Sequence, residues 1–201
     1  MRNLEKARHA LEKANSEGDG ETVRSLWLAK AADYAITDRA SLVGGAAVNL
    51  HTGSYNPTDV DLCARLDESD REALVQIGFR HFQGDHFSYL FDDGQEWLLE
   101  FPDSQVDGDV MTIRLSPDDL LSVIRPESLI VDRVLLATDR TRITYDEALR
   151  LCLALFDKAD WQVVSDDIRT RDSLEPGLRL QSVYDRLIGD ARSRWKDPDG
   201  A

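Results

Sequence analysis

Residues 41 to 62 read SLVGGAAVNLHTGSYNPTDVDL, a stretch that combines a glycine pair with two closely spaced aspartates. A short apolar run meets a Gly-Gly pair at Gly44 and Gly45, and an alanine-rich segment compatible with a helix follows. After a turn rich in Gly, Ser, Asn and Pro, a second apolar segment begins at Asp59. This pattern predicts a strand, a glycine turn, a short helix, another turn and a second strand.

The Gly-Gly pair predicts a turn that receives an anion. Glycine adopts positive φ readily and lets the backbone approach a ligand closely, which suits Gly44 and Gly45. The N–H groups that begin the next helix then face any anion bound there. In outline this is an arrangement for binding phosphate.

Asp59 and Asp61 lie two residues apart on the predicted second strand, so both side chains project from the same face. Two adjacent carboxylates repel each other unless a cation lies between them. A hard divalent ion with oxygen ligands, Mg²⁺ or alternatively Mn²⁺, is the expected occupant. A Gly-Gly turn alone is common, and an Asp-x-Asp pair alone usually marks a solvated strand face. Their order and spacing together predict a site for a nucleoside triphosphate (NTP) with its metal.

The same residues resemble the polymerase-β-type nucleotidyltransferase superfamily. Its motif is an apolar residue, Gly-Gly or Gly-Ser, a spacer of about a dozen residues and then Asp-apolar-Asp. The spacer here is thirteen residues long, from 46 to 58. The Gly-Gly-Ala start and the Thr-Asp-Val-Asp finish are most similar to small bacterial and archaeal members of toxin–antitoxin or abortive-infection pairs. The resemblance covers about residues 40 to 155 and implies that Thr58 contributes to the nucleotide site.

The resemblance also implies site residues outside this stretch. In the family, a third acidic residue on a neighbouring strand completes the metal site and accepts the acceptor's proton. Glu100 is the best positional match and Glu96 the alternative, although either also fits an exposed edge-strand glutamate. On the helix after the sheet, a basic residue that contacts the triphosphate is expected at Arg133, and Arg140 is a further candidate. Both arginines also fit simple pairing with neighbouring aspartates on a solvated helix face.

Composition limits the class of protein. The chain has 201 residues, 42% of them hydrophobic, which supports a real core. No apolar run approaches the ~20 residues needed to span a bilayer. The two cysteines have no metal-ligand spacing and lie in apolar segments, so we expect buried free thiols and a cytoplasmic protein. A net charge of −14 makes general nucleic-acid binding unlikely, because such a surface repels a phosphate backbone.

The predicted fold is α/β (α+β): a mixed nucleotidyltransferase-type sheet flanked by helices, with helical additions at both ends. We predict N-terminal helices over 1–38, the core over 39–116 with an antiparallel meander of strands, and a helical region over 117–201. That last region is predicted to begin with a helix over 117–123, and the three parts to form one compact unit. The predicted function is metal-dependent transfer of a nucleoside monophosphate from NTP to an acceptor hydroxyl that the sequence does not identify. The alternative is a catalytically silent binding module in a two-protein regulatory pair.

Overall fold

The computed structural model describes residues 2–16, 20–55, 57–139 and 141–195. The chain divides into two compact units, Met1–Ile124 and Arg125–Ala201. The first unit holds the sheet, and the second is built from helices.

Helices at the start of the first unit form as the sequence predicts. The helix α1 spans Leu4–Ser16 and buries a stripe of small apolar residues three or four apart, Ala7, Ala10, Leu11 and Ala14. The next helix, α2, spans Glu21–Ala35 and is buried on almost every side from Ser25 to Ala32. Val23, in the first turn of α2, is 37% exposed. The helix α2 is therefore a central element of the core rather than a one-sided packing helix.

The seven-stranded sheet is mixed and has the order β3-β4-β5-β2-β1-β7-β6. Its strands are β1 Ser41–Val43, β2 Asp59–Cys63, β3 Arg80–Gln83, β4 His86–Leu90, β5 Glu96–Glu100, β6 Val110–Ser116 and β7 Asp119–Ile124. Helix α3 (Gly44–Thr52) follows β1 directly, and α4 (Glu68–Gln76) follows β2. The pairs β1–β7 and β2–β5 are parallel, and the other neighbours are antiparallel. The predicted mixed sheet flanked by helices is confirmed.

One face of the sheet forms the core. Alternate side chains of the central strands, Leu42, Val60, Leu62 and Leu99, are 0% exposed. Because side chains alternate along a strand, the intervening residues lie on the opposite face. Asp59, Asp61 and Glu100 belong to that second face and are partly exposed.

The prediction of a helix over 117–123 is wrong, because most of this segment belongs to strand β7, Asp119–Ile124. Ser116 donates a hydrogen bond to Asp119, and Arg114 donates to the Pro117 carbonyl at 2.8 Å, which closes a hairpin between β6 and β7. Burial then alternates, with Leu121 at 1% exposure and Val123 at 0%. Strand β7 pairs in parallel with β1, so β6 lies at the opposite edge of the sheet from β3. The predicted meander therefore includes β3, β4 and β5 but does not extend to β6.

The second unit contains α5 (Pro126–Leu136), α6 (Arg142–Ala154), α7 (Trp161–Leu174) and α8 (Leu180–Arg194). Short 3₁₀ turns at Ala137–Asp139 and Pro176–Leu178 follow α5 and precede α8. Side chains cap two of the helices: Thr141 accepts from the Thr144 N–H at 3.2 Å, and Asp160 from the Gln162 N–H at 3.0 Å. Within the described part of the chain, no helix is long and apolar enough to cross a membrane.

Candidate functional site

The glycine turn lies directly against Asp61. Strand β1 ends at Val43, which pairs with Asp61 of β2, and α3 begins at the next residue, Gly44. Gly44 has a φ of 62°, in the left-handed region. A Cβ atom built there would lie 1.8 Å from Asp61 Oδ2. Glycine is therefore required at this position by its conformation and by the carboxylate beside it.

Tyr55 covers the second glycine of the turn. A Cβ atom at Gly45 would lie 2.6 Å from Cε1 of the Tyr55 ring. The Tyr55 N–H donates to Asn49 Oδ1 at 3.4 Å, which ties the loop before β2 to α3. Tyr55 is 46% exposed, and its ring lies beside Gly45 at the start of α3. Sequence reasoning missed Tyr55, since an aromatic residue in a turn rich in Gly, Ser, Asn and Pro was the only indication.

Strand register places Glu100 beside Asp61. The parallel pairing of β2 and β5 aligns Asp61 with Glu100 and Asp59 with Leu98. Partners in register project on the same face, roughly 4.8 Å apart along the hydrogen-bonding direction. Glu96 lies two residues beyond the partner of Asp59, and its carboxylate accepts from Ser88 Oγ at 2.7 Å. Of the two glutamates considered from the sequence, the structure brings Glu100 next to Asp61.

The Glu100 carboxylate contacts a histidine that the sequence reasoning did not include. His86 of β4 is aligned with Glu100, and His86 Nδ1 lies 3.3 Å from Glu100 Oε1. Asp61, Glu100 and His86 thus form a row across three neighbouring strands. Only strand register reveals this row. The four histidines of the chain do not have the sequence spacing typical of metal ligands.

The side chains around the glycine turn can be compared with those that usually hold a divalent metal ion in proteins. Among the described residues, no group of three or more His, Cys, Asp or Glu side chains is positioned to hold a metal ion. Mg²⁺, however, is usually held by one or two carboxylates together with waters and substrate phosphates, rather than by a cage made only of protein. Asp59 and Asp61 supply two such carboxylates on one face, and Gly44 places no side chain between the turn and the second of them. The donor set therefore fits an ion that arrives with a phosphate ligand.

Of the remaining predicted nucleotide residues, the structure describes Thr58 in the first unit and Arg133 in the second. Thr58 is exposed, and its carbonyl accepts from the Leu98 N–H at 3.3 Å. Arg133 lies in the second unit on α5, with its Nε 3.9 Å from Asp132 Oδ2. That contact is the neighbouring pairing considered as the alternative from the sequence. Arg140 lies outside the described residues, so its role stays a prediction, as does that of Arg133.

Comparison with known proteins identifies the type of fold and not the activity. No family model and no curated protein matches the chain. Among solved structures it is similar to the crystal structure of an antigenic nucleotidyltransferase-like protein from Paracoccidioides brasiliensis. The two share 17% identity with a TM-score of 0.53, and the match covers 81% of this chain and 94% of that one. At this identity the similarity concerns architecture alone, and we conclude that the chain has a nucleotidyltransferase-like fold.

Proposed function

We propose that this chain is a metal-dependent nucleotidyltransferase that moves a nucleoside monophosphate from an NTP to an acceptor hydroxyl. The observation that carries the proposal is the contact between Gly44 and Asp61. It joins a turn suited to bind phosphate and a carboxylate suited to hold a metal at one point of the sheet.

The N–H groups of the Gly44–Gly45 turn bind the triphosphate at the start of α3. Asp59 and Asp61 would hold Mg²⁺ or Mn²⁺. The metal would supply positive charge that offsets the negative charge of the phosphates during the transfer. Tyr55 limits the space over Gly45 and so helps to orient the nucleotide.

Glu100 is the register partner of Asp61 on the neighbouring strand, which supports a role beside the phosphates. In the proposed reaction Glu100 accepts the hydroxyl proton as the acceptor oxygen bonds to the α-phosphorus, and the bond from that phosphorus to pyrophosphate breaks. His86 contacts Glu100 and holds the orientation of its carboxylate. Protein side chain, tRNA end and small molecule are all acceptor classes to test, with RNA disfavoured by the net charge of −14.

NTP binding should require the metal. With ligand at ~100 times its dissociation constant, the fold should gain roughly 2.7 kcal/mol of stability. A chain of this size should then melt a few degrees higher. The shift should occur with Mg²⁺ or Mn²⁺, vanish in chelator and vanish in Asp61→Ala. The shift should also vanish in Gly45→Val. The branched side chain would clash with the Tyr55 ring and block the approach of the phosphates to the turn.

The two glutamates of β5 provide matched variants for the transfer step. Protein, Mg²⁺ and each labelled NTP are incubated with cell extract, the first acceptor source to test because the sequence resembles members of two-protein pairs. Glu100→Gln should abolish labelling of the acceptor, whereas Glu96→Gln should retain it, because Glu96 lies away from Asp61. A wild-type protein with no metal-dependent shift for any of the four NTPs would rule out the nucleotide function altogether.

A further inference from the structure

A cavity of about 570 Å³ lies within the second unit, among residues of α6 and α8 and the 3₁₀ turns that precede them. This volume is in the range of small-molecule sites. Its lining includes Arg142, Arg179 and Arg186, and Asp190 is the single acidic residue among its lining residues that the structure describes. The cavity walls therefore carry a formal charge of about +2 in a chain whose total is −14.

The charge of the chain is unevenly distributed along it. The second unit contains 13 of the 24 basic residues and 15 of the 38 acidic ones, a net charge of −2, so the first unit carries −12. A cluster of three guanidinium groups is thus placed in the unit whose own charge repels anions least.

Two of these guanidinium groups form no ion pair with any described residue. No carboxylate of a described residue lies within 4.0 Å of the Arg179 or Arg186 side chain. Arg142 pairs with Asp146 at 3.6 Å but is 93% exposed, and such a contact is weak. The Arg186 guanidinium lies over the Tyr145 ring, with its Cζ 4.2 Å from the centroid.

The one carboxylate in the cavity is occupied by a hydroxyl. Tyr145 donates from its OH to Asp190 Oδ2 at 2.8 Å. Burial, followed by this hydrogen bond, raises the pKa of Tyr145 above its ordinary value, so the hydroxyl keeps its proton at neutral pH. The Tyr145–Asp190 bond spreads the negative charge and reduces the repulsion that Asp190 would exert on an anion.

Arg179 is held in a costly backbone conformation. It is the only residue other than glycine among those described with positive φ, at 54°, and it immediately precedes α8. An L-residue is disfavoured in this region, and such outliers concentrate at binding sites. Hydroxyl groups of Thr138, Thr141 and Ser182 also line the cavity, although Thr138 donates its proton to the Leu135 carbonyl at 2.7 Å.

We propose that this cavity binds the dianionic phosphate group of a small molecule, as a site separate from the glycine turn of the first unit. Guanidinium groups match phosphate in charge and in the geometry of their paired N–H donors. A net of about two positive charges balances a phosphate dianion. The volume exceeds that of a single phosphate, which favours a phosphomonoester of a sugar over the free ion. A nucleic acid is disfavoured, because its many phosphates would meet the acidic remainder of the surface.

Calorimetry in excess chelator tests this site without the metal-dependent one. Ribose 5-phosphate and inorganic phosphate are titrated into the whole chain, and binding should persist in Asp61→Asn. Arg179→Gln and Arg186→Gln should each weaken binding by about ten-fold or more. Arg194→Gln, with the same charge change in the last turn of α8, should bind as the wild type does. If ribose 5-phosphate binds more tightly than inorganic phosphate, the ligand of the cavity is a phosphomonoester. If the two bind equally, the ligand is the free phosphate ion.

Arg179→Gly separates binding from folding. Glycine relieves the positive φ, so the variant should melt about 2–4 °C higher while it loses affinity for phosphate. The proposal would be overturned if neither ribose 5-phosphate nor inorganic phosphate bound in chelator. It would also be overturned if Arg194→Gln lost as much phosphate affinity as Arg179→Gln. Loss of binding in Asp61→Asn would place the phosphate at the glycine turn instead. Preferential binding of a 5′-phosphorylated RNA over ribose 5-phosphate would overturn the small-molecule class.

Discussion

Gly44→Ala should destabilise the protein far more than the same change at another glycine of equal conformation. The new methyl group must adopt a φ of 62°, which costs about 1–2 kcal/mol. It would also lie 1.8 Å from Asp61 Oδ2, so the carboxylate must leave its position or β1 must shift from β2. Overpacking of this kind costs about 1–3 kcal/mol more. The expected total is about 2–5 kcal/mol.

Gly53 supplies the matched control. It has a φ of 64°, and nothing lies within 4 Å of a Cβ atom built on it. Gly53→Ala should therefore show only the backbone cost of about 1–2 kcal/mol. Urea denaturation in chelator measures both variants, and the difference between them isolates the contact with Asp61.

A double-mutant cycle identifies the partner in that contact. Asp61→Gly removes both the carboxylate and the Cβ atom, which lies 2.9 Å from the position that the new methyl group would take. In that background Gly44→Ala should cost no more than Gly53→Ala, giving a coupling energy of about 1–3 kcal/mol. Equal costs of Gly44→Ala and Gly53→Ala in the wild-type background, within about 0.5 kcal/mol, would refute the reasoning about the turn.

Three further predictions concern titratable groups. Burial opposes ionisation of Asp70, but hydrogen bonds from the Asp67 backbone, Arg2 and Thr37 outweigh it and lower its pKa. Asp70→Asn should therefore cost about 1–3 kcal/mol at neutral pH, and denaturation curves should show that difference shrinking as pH falls below about 4. Burial raises the pKa of Cys152 to about 12, so in a variant lacking the other cysteine a thiol reagent should label it only as the fold opens. Asp59→Asn should stabilise the metal-free protein by about 1 kcal/mol in urea denaturation, because it removes repulsion with a like charge on the same strand face; a clear loss would make Asp59 a structural hydrogen-bond acceptor.

Local patterns predicted most of the elements correctly. The Gly-Gly pair, the spacer and the Asp-x-Asp strand formed as expected, since backbone freedom at Gly44 and alternation along β2 depend on neighbours within a few residues. The strands β3, β4 and β5 form an antiparallel meander as expected, because turns at Gly84 and Gly94 separate them. The helix predicted over 117–123 failed because Ser-Pro-Asp-Asp is typical of a helix start. Its alternating apolar residues found a partner in β1, about 80 positions away.

The sequence by itself determined that a glycine turn precedes an Asp-x-Asp strand, and that both carboxylates share a face. Only the tertiary structure decided which other groups join them. Strand register aligns Glu100 rather than Glu96 with Asp61 and brings His86 into the same row. Register depends on which strands become neighbours, and that choice comes from burial of the whole core rather than from local preference. The arginines of the second unit meet at one cavity for the same reason: packing between α6 and α8 brings together residues about 40 positions apart.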